Sequence, residues 1–257
     1  MEIQSSCKEK NVQGAGAQTT KLFLPDGIGF VEMLEYFGND LTVVNAARVS
    51  FHKEVFFEQV KECDEEGQEK IIGTKLSKRD SDLIVYLAAN QHIAPFFHPQ
   101  VRFRLKMPVF VAREWFRHTV GFARNEVSRR YVTEEPQCFV PEILRKRDAN
   151  VKQGSKADPV ENHDAIHNGM KQYMFDACAY YNHLLEQGVC PEHARMVLPQ
   201  SMYTEFIETA SLAAYARLAG LRLDPAAQRE IQSYAQLVST CMKDIFPVSW
   251  VALTKGL

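Results

Sequence analysis

Between Arg113 and Tyr131 the chain reads REWFRHTVGFARNEVSRRY, a run with five arginines, two glutamates, one histidine and one serine. Guanidinium groups at that density are costly to place beside apolar segments unless carboxylates or a bound anion meet them. Ser128, Arg129 and Arg130 follow Glu126 and Val127 closely enough for one tight turn to aim a hydroxyl, backbone amides and a guanidinium at a single phosphate. The run therefore reads either as an anion grip, with a nucleotide as the working ligand, or as a solvated charged helix and turn. Arg195 (HARMVLP) and Arg222 (LAGLRLD) sit in mostly apolar contexts, where salt bridges or a ligand must satisfy them.

Other chemistries have thinner support. HDAIH puts His163 and His167 at i and i+4, as in zinc-binding helices, but Asp164 stands where glutamate is usual and no third ligand is evident, so a solvated helical face is favoured and no metal is expected. His92 and His98 bracket a proline and read first as loop caps. Cys190, ahead of Pro191, Glu192 and His193, is the best thiol nucleophile, yet the same residues suit a helix start. Neither G-x-x-x-x-G-K-[ST] nor G-x-G-x-x-G occurs, so an anion would be held by arginines, a serine and loop N–H groups.

The composition sets bounds on these readings. The 257 residues are 46% apolar and 24% charged with a net charge of −2, ordinary for a soluble globular chain, and they give no global pull toward nucleic acid or an anionic membrane. Six cysteines without a C-x-x-C pair read as reduced thiols, and no leader or membrane-length apolar run stands out, so a cytoplasmic protein is expected.

The elements that must position these residues follow from periodicity. Residues 1–20 read as a polar tail and 21–257 as one domain. A strand, a Pro-Asp-Gly turn and a strand or short helix open the domain, followed by a helix after Asn39 or Asp40 that ends near Ser50. Residues 52–75 read as a charged insertion or mobile excursion. A helix before Pro95 leads to a strand in which Val101, Phe103 and Leu105 alternate with Arg102, Arg104 and Lys106, and Pro108 suits the first turn of the next helix. A long helix is expected from about Pro159 to Gln187, and the rest to Phe246 reads as at least three more helical stretches. The pattern is α/β or α+β.

The opening run also resembles the signature of the flavin-dependent thymidylate synthases, Arg-His-Arg, seven residues, then Ser, in a run ending Ser-x-Arg-Tyr. Residues 38–51, 92–118, 192–206 and 220–235 look like family blocks in family order. The resemblance implies an antiparallel-rich sheet flanked by long helices. It also implies a homotetramer with sites at subunit interfaces, FAD, NADPH as reductant, and one-carbon transfer from methylenetetrahydrofolate to C5 of a pyrimidine nucleotide, by default dUMP to dTMP. By the same resemblance Arg222 is the catalytic arginine that stabilises the ionised pyrimidine. Glu126, Val127, Ser128, Arg129 and Arg130 match the phosphate loop, and Glu114, Trp115, Phe116, Arg117 and Arg195 match other nucleotide contacts. Ser50, His92, Ala94, Arg117, His118, Thr119, Glu126, Ser211 and Arg217 match positions near FAD.

This chain departs from the pattern where flavin and folate are expected. Thr119 replaces the second signature arginine, and eight residues separate it from Ser128, with Arg124 the available stand-in. Glu114 replaces a glutamine, Ala94 and Phe97 replace a polar residue and a glutamate, and Ser211, Ala213 and Arg217 replace Asn, Arg and Asn. Three outcomes besides dTMP formation follow from these changes: the same chemistry on dCMP or UMP, hydroxymethyl delivery, or nucleotide binding without flavin chemistry.

Overall fold

The alternation from Val101 to Lys106 acts as its period implies. In the computed structural model, which describes residues 20–63, 68–132, 134–149 and 154–255, Val101, Phe103, Leu105 and Met107 are fully buried while Arg102, Arg104 and Lys106 face outward. In chain order the elements begin with β1 (Thr20–Phe23), β2 (Phe30–Phe37), α1 (Asp40–Arg48), β3 (Glu58–Cys63), β4 (Glu69–Lys75) and α2 (Lys78–Ala89). β5 (Gln100–Pro108), α3 (Val109–Trp115), β6 (Phe122–Glu126), β7 (Arg145–Arg147), β8 (Ser155–Pro159) and α4 (His163–Glu186) follow. The chain closes with α5 (Pro191–Ala194), β9 (Tyr203–Ser211), α6 (Leu212–Arg222), α7 (Arg229–Ile245) and α8 (Pro247–Leu253).

The main sheet runs β1-β2-β5-β9-β6 with every neighbour antiparallel. Helices cover one face. α7 buries Ile231, Tyr234, Ala235, Val238 and Met242, a stripe at helical spacing worth roughly 1.5–3 kcal/mol per large aliphatic side chain. α6 is buried almost all round, from Leu212 to Ala216 and again at Leu218 and Ala219. The other face carries charge: Arg102 pairs with Glu35, and Arg104 lies 3.8 Å from Glu32 and 3.7 Å from Glu205. This is the mixed helix-and-sheet class that the sequence pattern implies, with the antiparallel-rich sheet that the family resemblance implies.

Several boundaries differ from expectation. The stretch 203–211, read as helical, is β9, which pairs with β5 over its whole length. Its alternation is disguised because Glu208 is fully buried while its apolar neighbour Ile207 is 37% exposed. Residues 122–126, inside the run read as an anion grip or a charged helix and turn, form edge strand β6. The charged excursion contains an antiparallel strand pair, β3–β4, exposed except at half-buried Val60. Pro108 ends β5 and caps α3 rather than entering its first turn. α4 starts at His163, since Pro159 still belongs to β8 and Asn162 adopts a left-handed φ of 56°. The expected tail lies outside the described residues apart from Thr20.

α1 begins as its sequence suggests: Asn39 accepts from the Leu41 and Thr42 amides, and Thr42 answers the Asn39 N–H. The next residue, Asp40, is buried and accepts from Val248 N at 2.8 Å and Ser249 N at 3.0 Å, so it caps α8 across the fold. Asp40→Ala should therefore cost about 2 kcal/mol in urea unfolding, because two amides lose their acceptor. A loss under about 0.5 kcal/mol would show that the α8 N-terminus is satisfied by other means.

Candidate active site

The opening run divides between two places. Its first half gathers around Arg222, the last residue of α6. Arg222 Nη1 donates to Glu114 Oε1 at 2.5 Å, Nη2 to the Glu114 carbonyl at 3.1 Å, and Nε to His118 Nε2 at 2.9 Å. Of five guanidinium N–H groups, one on each terminal nitrogen is left over. Glu114 and Arg222 line a cleft of about 900 Å³ with Arg145 and Ser155. The ion pair expected as one alternative for Arg222 is present, and it leaves donor capacity at the cleft.

The second half lines another cleft, about 660 Å³, where Glu126, Val127, Ser128 and Arg129 meet Arg195 and Lys106. A turn forms there, with Tyr131 N donating to the Ser128 carbonyl at 2.9 Å and Arg130 N to Ser128 Oγ at 3.4 Å. Glu126 accepts from Thr204 Oγ1 at 2.6 Å, and Val127 N donates to the Glu205 carbonyl at 2.9 Å, so β9 carries the loop. The guanidinium of Arg129 donates to the Glu134 carbonyl, and that of Arg130 pairs with Glu192 at 3.2 Å. Arg195, read as sitting in an apolar context, is exposed at this cleft. The two clefts share no lining residue.

Between them runs β6, five residues long, so the two halves of the run leave opposite ends of a strand about 17 Å in length. The positions that resemble flavin contacts cluster at its first end, except Glu126, which ends β6 and lines the second cleft. His92 and Ala94 border the Ala94–Phe97 turn beside α6, Ser211 opens α6, and Arg217 Nη2 donates to the Val120 carbonyl at 2.5 Å. Ser50 lies in the Val49–Phe51 turn after α1, the helix that packs on the same Ala94–Phe97 turn. Arg117, Thr119, His92 and Arg217 are exposed, a set of donors and cations that fits a planar group carrying phosphates. Ser211 does not fit that role here: it is 2% exposed, and its hydroxyl caps the Ala214 amide at 3.2 Å.

Three further residues support the site from behind. Trp115, expected at the nucleotide, is fully buried and donates its indole N–H to Glu208 at 3.1 Å. Phe116 packs edge-on against Phe206, ring centroids 4.8 Å apart. Arg124, the available stand-in for the missing signature arginine, is engaged within the chain: its Nε is on buried Glu208 at 2.6 Å and its Nη1 on the His118 carbonyl. Reading β9 as helix hid Glu208. The available signal was a carboxylate in step with Phe206 and Ala210.

Elsewhere, His163 and His167 stack with centroids 5.2 Å apart, and no cluster of three metal-ligand side chains occurs among the described residues. Cys190 is exposed at the start of α5. A more apolar cleft of about 820 Å³ lies between Tyr203, Tyr234 and α4 and holds none of the candidate nucleotide or flavin residues. No described helix is long and apolar enough to cross a membrane.

Comparison with known proteins matches residues 32–248 to the Thy1 family, described as thymidylate synthase complementing protein. The chain is 35% identical to a flavin-dependent thymidylate synthase of Thermus thermophilus over 230 residues, 89% of this chain and 77% of that one. It is 34% identical to that of Thermosipho africanus over 228 residues, 88% and 91% of the two chains. Among solved structures it superposes on a UMP/dUMP methylase, PolB from Streptomyces cacaoi, bound with 5-Br dUMP: TM-score 0.70, 27% identity, 87% of this chain and 94% of that one. The same enzyme bound with 5-Br UMP gives a TM-score of 0.71 at 27% identity, over 87% of this chain and 92% of that one.

His118 yields a pH prediction. Burial, then the charges of Arg222, Arg124 and Arg217, lower its pKa from 6.5 to about 4, which suits an Nε2 that accepts from Arg222. Between those values the unfolded chain binds a proton that the folded chain does not, so this contribution to stability rises with pH and is lost as pH falls from 6.5 toward 4. Imidazole NMR should put the His118 midpoint near 4. A midpoint at the ordinary histidine value would show that Arg222 does not hold the ring.

Proposed function

The chain belongs to the Thy1 family of flavin-dependent thymidylate synthases, and from that premise we propose that it methylates C5 of a pyrimidine nucleotide, dUMP by default, with methylenetetrahydrofolate as one-carbon donor. One observation carries the reading. Arg222 is fixed by Glu114 and His118 yet keeps one N–H on each terminal nitrogen at a cleft. Such a group stabilises negative charge as it develops on the pyrimidine carbonyl when C5 becomes nucleophilic, and it needs no reorganisation to do so.

The phosphate goes to the other cleft, where the Ser128 hydroxyl, loop amides and Arg195 supply charge-assisted hydrogen bonds. FAD, reduced by NADPH, supplies the one-carbon relay and the hydride when bound. Ser50, His92, Arg117, Thr119 and Arg217, at the first end of β6 beside Ala94 and His118, are the residues that would hold it.

Two features support a homotetramer with sites shared between subunits. The phosphate loop and Arg222 line separate clefts of one chain, so a nucleotide that touches both residue types takes them from different copies. Phe51, Phe97 and Val120 are exposed near the flavin end, an apolar rim that suits burial on assembly. UMP is the second reading, favoured by the likeness to a methylase solved with both 5-Br UMP and 5-Br dUMP.

With FAD, NADPH and methylenetetrahydrofolate, mass spectrometry should show a methyl group added to dUMP, and the purified protein should bind FAD with a flavin absorption band. A colourless protein that takes up no FAD would overturn the assignment. Arg222→Ala should lower turnover about a hundredfold or more with the fold intact. Ser128→Ala should instead weaken nucleotide binding about tenfold, read by calorimetry, by removing a charge-assisted hydrogen bond.

A further inference from the structure

We propose that Arg124 and Glu208 are positioning residues for Arg222, acting through the segment from Glu114 to His118. The proposal rests on the assignment of Arg222 to the pyrimidine. Both partners of Arg222 lie on that segment: Glu114 at its start and His118 at its end. A single buried carboxylate ties down both ends. Glu208 accepts from the indole of Trp115, the residue after Glu114, at 3.1 Å, and from Arg124 Nε at 2.6 Å, and Arg124 Nη1 in turn holds the His118 carbonyl.

The linkage Glu208–Arg124–His118–Arg222 is thus continuous hydrogen bonding from the core face of the sheet to the cleft. None of its groups is idle in solvent, since the Arg124 and Arg222 side chains are each 14% exposed and Glu208 0%. The planar fork of arginine is essential, because one side chain must reach a carboxylate and a carbonyl in different directions. A lysine presents one ammonium and can neutralise Glu208, but it cannot also fix His118. Arg124 touches neither cleft, so its effect on the reaction is indirect, and we route it through His118 to Arg222.

Arg124→Lys tests this in the FAD-loaded enzyme, with turnover read as release of isotopically labelled hydrogen from C5 of dUMP, an assay that follows residual activity. The expected result is a fall in kcat of about ten- to a hundredfold, with dUMP affinity within about twofold. In the Arg222→Ala background the same substitution should change nothing further, as expected for residues that act as a unit. Independently of activity, the 15N resonance of His118 Nε2 should move as the imidazole loses its fixed contact with Arg222.

Glu208→Gln, which keeps volume and the Trp115 contact, serves as the second variant should Arg124→Lys fold poorly. It should show the same coupling with a smaller loss. Equal loss of turnover in both backgrounds, or an unmoved His118 signal, would overturn the proposal by marking the pair as a purely structural anchor. Full activity in Arg222→Ala alone would overturn the assignment of Arg222 instead, and the His118 resonance would then decide by itself whether Arg124 holds the imidazole.

Discussion

A carboxylate fully buried on the apolar face of the main sheet must be satisfied, and the site is arranged around how that is done. Removing an ion pair from water costs several kcal/mol per ion and is offset only by good geometry and further hydrogen bonds. Glu208 has both, with Arg124 and Trp115 as donors. Burial pushes its carboxyl up, and the Arg124 charge offsets only part of that rise. Arg124 in turn lies over Phe122, its guanidinium carbon 4.4 Å from the ring centroid, so the cation is covered as well as paired. Loss of either partner would strand a buried charge, typically about 3–5 kcal/mol.

The ion pair also fixes register. Arg124 and Glu208 are directly opposite across β6 and β9, and a slip of one residue would send Arg124 to the outward face and leave Glu208 unpaired. β6 is a short edge strand bonded to one neighbour only, so its register has few other determinants. With β6 pinned, the 117–121 turn is delivered to α6 at one end and the Ser128 loop to the cleft lined by Lys106 and Arg195 at the other. The outward face of the sheet contributes much less, because its pairs, such as Arg102 with Glu35, are half-exposed and screened.

Local rules read much of this fold directly. The alternation in β5, the Asn39 cap and the stripe of α7 are all written within short windows of sequence, where period and capping chemistry act. β9 was not legible, because Glu208 faces the core and Ile207 faces out, which reverses the polarity that marks a strand. The site was legible in part. Its arginines stood out by density, but their partners did not: Arg222 meets Glu114 and His118 across 108 and 104 residues of chain. Pairing at that separation is set by tertiary packing, which no local period reports.

The departure at Thr119 takes on a physical meaning in this setting. Phe122 N donates to the Thr119 carbonyl at 3.2 Å, and Gly121 takes a φ of 81°, so residues 119–122 close a turn that needs a positive φ at its third position. A Cβ at Gly121 would meet the Ala214 methyl at an ordinary contact distance of 3.4 Å, so the positive φ rather than crowding calls for glycine here. The turn is gripped from both sides, by Arg124 on the His118 carbonyl and by Arg217 on the Val120 carbonyl. Each holds a backbone oxygen rather than another side chain, so the grip constrains where the turn sits while leaving Thr119 free to vary. Positive charge at this end comes from Arg117 and Arg217, one on either side of the turn, instead of from position 119. The signature has changed in letters while its end of the sheet remains cationic.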